Sequence, residues 1–163
     1  MARRAPTLGE RLLPAVTTLH LLLLAALFGA MVAIGPILPQ ILFHHLGLEP
    51  LVAARYMGVI FKRTTPLLAT LATAALCAEA LRVAAGERPT WWVATLRYAA
   101  TAVCLGGLLL FLWHYIPAIQ AYHSRGPEAL ATAAFDALHD GSRRCLSIAL
   151  VAAATALAVV GKR

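Results

Sequence analysis

The sequence predicts an all-α protein: an integral membrane bundle of four transmembrane helices, with a short interfacial helix after the first. Three observations carry this reading. The 163 residues are 61% hydrophobic and only 13% charged, whereas a soluble domain is about half apolar and about a quarter charged. A soluble domain of this size has too much surface to bury so many apolar side chains. The apolar residues fall in runs of about twenty, the length that crosses the hydrocarbon of a bilayer, and basic and aromatic residues mark the ends of those runs.

The first run spans residues 16–38 and follows Arg3, Arg4 and Arg11. A secretory signal begins in the same way, but this run is too long for one and is read as a retained first span. Pro36 and Pro39 are expected to bend or end it, leaving residues 40–50, with Phe43, His44, His45 and Gly47, as an exposed turn. Residues 51–63 are apolar apart from Arg55, Lys62 and Arg63, which share one helical face with Val59. This pattern predicts a short helix at the membrane surface, set off from the second span, 66–85, by a bend at Pro66, or else the lower part of a long second helix kinked there.

Residues 86–90 form a short polar turn, and Trp91 and Trp92 stand where an aromatic belt is expected. The third span, 92–118, holds Gly106 and Gly107, small enough for close helix contact. A longer loop, 119–141, contains a helical stretch near 130–139, and the fourth span covers 143–161. The chain is read as a single domain without internal repeats.

An even number of crossings puts both termini on one side. With that side cytoplasmic, it holds Arg3, Arg4, Arg11, Arg82, Arg88, Arg97, Lys162 and Arg163. The other side holds Arg55, Lys62, Arg63, Arg125, Arg143 and Arg144, an excess of eight over six. The arginines just ahead of the first span reinforce a cytoplasmic assignment.

The net charge of +7 does not indicate nucleic acid, because the basic residues are scattered among apolar runs and form neither a stripe nor a stacking platform. Cys77, Cys104 and Cys145 show no CxxC spacing, and the first two, within apolar runs, are read as small buried hydrophobes. The bilayer is the expected partner, with a homo-oligomer or a larger membrane complex as the setting.

Few residues could carry chemistry. His44, His45, His114, His123 and His139 fall at one membrane face with Glu128, Asp136 and Asp140. Imidazole and carboxylate suit zinc or copper, so His44, His114 and His139 are candidate metal ligands, although no HxxxH or HExxH pair occurs. Polar residues also gather at helix ends without any ligand. Ser142 lies one turn after His139 and is expected on the same side, making a polar face with Asp136 and Asp140. Four ionisable residues lie within spans: His20, Glu79, Arg82 and Arg97. Such groups are functional candidates by default. The plainer expectation is a clasp of Glu79 with Arg97 or Arg82, and a neutral His20 bonded to a backbone carbonyl or to Thr17 or Thr18.

Two stretches resemble the transmembrane protein 205-like family. One is Leu38-Pro-Gln-Ile-Leu-Phe43 with Gly58-Val-Ile-Phe61. The other is Tyr115-Ile-Pro117 with Phe135-Asp-Ala-Leu-His139-Asp-Gly-Ser142. The order of these elements is similar across residues 19–160, but Leu146 stands where many relatives carry asparagine. The resemblance implies a four-helix membrane protein and no established activity.

A fainter resemblance joins His20, Leu38-Pro39, Phe43-His44-His45 and Arg63-Thr-Thr-Pro66 to the membrane protoporphyrinogen oxidases, which bind haem b. The spacing differs, Arg97 is the nearest basic residue to an expected lysine, and the Asn-Glu-x-Pro motif is missing. The function read from the sequence is a membrane protein without an enzyme motif, either an accessory subunit or a component handling a metal or small solute. No cofactor is predicted. A haem b oxidoreductase, or a transition-metal site, stands as the alternative.

Overall fold

The computed structural model describes residues 8–162. Arg3, Arg4 and Arg163 lie outside the described residues. Four helices in it are long and apolar enough to cross a membrane: α1 (Arg11–His45), α2 (Pro50–Ala84), α3 (Trp91–Ser124) and α4 (Ala133–Val159). All four extend past an expected end, in α1, α2 and α3 because the helix accommodates its prolines and in α4 because it starts at an earlier cap.

Helix α1 is regular over Leu8–Val32 and then passes through two wide turns, Ala33–Ile37 and Ile41–His45, joined by Leu38–Gln40. In these turns the N–H of Leu38 bonds Ala33 O and that of Leu46 bonds Ile41 O, an i to i+5 pattern. Pro36 and Pro39 have no N–H to donate, and local widening lets the chain stay helical around them. The helix therefore does not end at Pro39. His44 and His45 occupy its last turn, and the connection shrinks to Leu46–Glu49.

Helix α2 is continuous from Pro50 to Ala84 with Pro66 inside it. The separate interfacial helix expected for residues 51–63 does not exist. Pro66 deprives Lys62 O of its partner, but both residues are exposed, so that carbonyl faces outward. The buried row Leu68, Ala69 and Ala72 holds the next turns in the core.

Helix α3 has a similar wide turn at Phe111–Tyr115, just before Pro117, and continues to Ser124. After the short helix Pro127–Leu130, the Thr132 hydroxyl accepts the N–H of Phe135 and caps α4. Helix α4 thus begins at Ala133, ten residues before the expected start at 143.

One core cluster draws on all four helices: Leu27 and Met31, Leu68 and Ala72, Cys104 and Leu108, and Ala149 and Ala153. Alanine lines much of it, so the backbones can approach closely. Gly107 marks a close crossing of α3 and α4, where a Cβ would stand 3.0 Å from Ala149 Cβ. Cys145 Sγ donates to Gly107 O at 3.3 Å in the same crossing.

The two ends of the array differ. At one end Gly9 packs against Ala85, and Val160 O reaches Arg97, so the first and last described helical turns lie together. Toward the other end Phe61 meets Phe111 edge-on at 5.2 Å, and Phe111 clusters with Cys145. This sets Lys62, Arg63, Trp113, Arg143 and Arg144 at about one level. Beyond it, α1 and α2 close a smaller core of Leu42, Ala53 and Met57.

Candidate functional site: a buried ionic network

The network stands at the end where the helices begin and finish together. Helix α1 contributes His20, α2 contributes Glu79 and Arg82, and α3 contributes Arg97, each no more than 2% exposed. Arg97 Nε lies 2.9 Å from Glu79 Oε1, an ion pair whose N–H is not aligned for a hydrogen bond. Arg82 Nη1 lies 3.8 Å from Glu79 Oε2. Both arginines considered as partners for Glu79 therefore flank it.

A fifth member, Glu87, comes from the turn after α2. Gly86 has φ +98°, a left-handed conformation that glycine adopts without Cβ strain. The Glu87 N–H then bonds back to Arg82 O at 3.0 Å, closing the helix end in the six-to-one pattern that follows such a glycine. This fold-back carries the Glu87 carboxylate onto the Arg82 guanidinium in a two-pronged contact. Nε donates to Oε2 and Nη2 donates to Oε1, both at 2.7 Å. Arg97 Nη1 also donates to Glu87 Oε1 and to Val160 O, each at 3.3 Å. Two arginines and two glutamates balance, and the Val160 carbonyl brings the end of α4 into the set.

Among the described residues, His20 bonds neither a backbone carbonyl nor Thr17, and Thr18 Oγ1 donates to Pro14 O. His20 Nδ1 lies 3.0 Å from Arg82 Nη1 and 3.2 Å from Glu79 Oε2. A guanidinium only donates, so a neutral His20 accepts at Nδ1 and carries its proton on Nε2. That Nε2 is buried with no hydrogen-bond partner among the described residues. Protonation would turn Nδ1 into a donor toward Glu79.

Outside the helices, burial pushes the Glu87 carboxyl up. Hydrogen bonds from Arg82 and Arg97, with their charges, outweigh that effect and leave it below its ordinary value. The sequence alone did not single out Glu87, because it reads as part of a polar turn. The available signal was its place directly after Gly86, three residues beyond the end of α2 and five after Arg82.

The histidines at the other end are arranged differently. His44, His45, His114 and His139 are exposed, as are Asp136 and Asp140. His45 Nδ1 sits 3.3 Å from Gln40 O, and the His114 ring meets Tyr115 edge-on at 5.1 Å. His139 stacks on Phe135 at 6.0 Å, and His123 approaches the same ring edge-on. Ser142 is buried and donates to His139 O at 2.6 Å, so it bonds the backbone there. Asp140 faces Arg143 at 3.7 Å across solvent. Among the described residues, no group of three His, Cys, Asp or Glu side chains converges to hold a metal. His44, His114 and His139 sit on different helices, with the His114 ring against Tyr115 and the His139 ring against Phe135. His20 is at the opposite end from His44, His45 and His114 and does not face them across the core.

Compared with protein-family models, curated proteins and solved structures, the chain matches none of them.

Proposed function

We propose that this protein is a multi-pass integral membrane protein that crosses the bilayer four times, with both termini cytoplasmic. In this reading it acts as a non-enzymatic accessory component of a membrane complex. Belt spacing supports the membrane placement. Trp91 and Trp113, 80% and 72% exposed, are 22 residues apart, about 33 Å along a helix, which matches a hydrocarbon core of about 30 Å. On this scale the network lies just inside one boundary, and the exposed histidines lie outside the other.

Burial of Arg82 and Arg97 removes them from the basic surface, so the excess of eight over six becomes six against six. The orientation then rests on the arginine-rich flank of the first helix, the flank that usually dominates. The order of motifs along the chain supports grouping it with the transmembrane protein 205-like proteins.

The observation that carries the accessory reading is that the buried charges neutralise one another. Arg82, Arg97, Glu79 and Glu87, with His20 against Arg82 and Glu79, tie three helices and the end of the fourth into one clasp. Such an arrangement stabilises a fixed helix packing. The test is purification of the native complex from its membrane in mild detergent, with an absorption spectrum and metal analysis on the same sample. A defined protein partner in stoichiometric amount, with no Soret band, is expected. A homogeneous lone chain carrying stoichiometric haem or metal would overturn the reading.

A further inference from the structure

Helices α3 and α4 leave a groove between them on the outer face of the array. It measures about 470 Å³ and is lined by Leu96, Val103, Ile148, Val151 and Thr155 among others. Three of these apolar side chains stand well out of the core: Val103 49%, Ile148 59% and Val151 66% exposed. At its upper end, Ser147 and Ile148 also line a second hollow with Asp140, Arg143 and Arg144. The two hollows are therefore one continuous feature, charged at one end and apolar along the rest.

Its dimensions and charge select an occupant. Arg144 to Thr155 is 11 residues along α4, about 16 Å, close to half of a hydrocarbon core of about 30 Å. The basic end sits at the level of Lys62, Arg63 and Trp113, the belt assigned above to the membrane boundary. Arg143 has one acidic neighbour, Asp140 at 3.7 Å, and Arg144 has none within ion-pair distance among the described residues. The hollow thus keeps a net positive charge at headgroup depth, directly above an apolar channel one leaflet deep.

We propose that this groove binds one anionic phospholipid, with its phosphate on Arg143 and Arg144 and an acyl chain laid along Ile148, Val151 and Val103. The inference rests on the membrane reading of the four helices. Guanidinium groups pair with phosphate oxygens through two N–H bonds at once, and a basic residue at the membrane surface adds attraction for anionic lipid. Ser147 sits at the junction, at glycerol depth, where its hydroxyl can donate to an ester carbonyl.

The full chain, purified in mild detergent, is titrated with phosphatidylglycerol or phosphatidylcholine of the same acyl chains, and bound lipid is counted by native mass spectrometry. Phosphatidylglycerol should bind roughly tenfold more tightly. The double variant Arg143→Ala/Arg144→Ala should lose that preference, and Val151→Trp, which fills the channel, should weaken both lipids. All these positions are exposed, and circular dichroism confirms that the variants stay folded. Equal binding of the two lipids, a preference that survives the double variant, or indifference to Val151→Trp would each overturn the proposal. A chain that stays monodisperse in buffer without detergent would instead overturn the membrane reading itself.

Discussion

Arg82 and Glu87 meet as two parallel hydrogen bonds of 2.7 Å across the end of α2, five residues apart in sequence. The pair exists because Gly86 turns the chain back on the helix it has just left. It also fixes the face of Arg82 that remains for His20, whose Nδ1 lies 3.0 Å from Nη1. A turn residue thereby sets the geometry of a buried histidine on another helix.

Removal of the central carboxylate should be the most damaging single change. Glu79→Gln leaves Arg97 and Arg82 buried with less compensating charge, a loss on the order of 3 kcal/mol. Glu87→Gln should cost less, because Glu87 sits in the turn after α2, where the chain can relax around the neutral side chain, and Gln keeps one acceptor oxygen for Arg82. Thermal unfolding of both variants in detergent checks the order. Equal stabilities would count against a network centred on Glu79.

Acid should weaken the clasp through Glu87. Its folded-state carboxyl lies below the ordinary value, so its contribution is complete above the unfolded carboxylate value of about 4.3. The contribution is lost as pH falls through the lowered folded value. Melting temperatures followed from neutral pH down to about pH 3 should show wild type losing its advantage over Glu87→Gln at the acid end. A constant gap across that range would refute the assignment.

The two adjacent glycines of α3 should respond with opposite signs. Gly107→Ala places a Cβ 3.0 Å from Ala149 Cβ, between two packed backbones, and should destabilise by about 1–3 kcal/mol. At Gly106 nothing lies within 4 Å, so Gly106→Ala should stabilise by up to about 1 kcal/mol through helix propensity. Melting curves of both variants decide it, and matching shifts would mean the α3–α4 crossing lies elsewhere.

Topology is open to direct labelling. In a background lacking Cys77, Cys104 and Cys145, single cysteines at Ala2 and Lys162 should share one accessibility to an impermeant reagent in intact cells. A cysteine at Lys62 should show the opposite one. Opposite results for Ala2 and Lys162 would rule out an even number of crossings.

Much of the architecture is local information. The number of long apolar helices follows from run length and hydropathy, which each segment carries by itself, whereas their ends do not. The four ionisable residues His20, Glu79, Arg82 and Arg97 stand out for the same reason, as isolated charges or polar groups within apolar runs. Tertiary packing decided the rest. Pro66 stays inside an unbroken helix because the rows after it are held in a core shared with three other helices. His20 turns to Arg82 and Glu79, not to its own backbone, because helix rotation brings those side chains within 3.2 Å. Glu87 joins them only once Gly86 folds the chain back. Rotation and register arise from contacts between segments far apart in sequence, and no single apolar run records them.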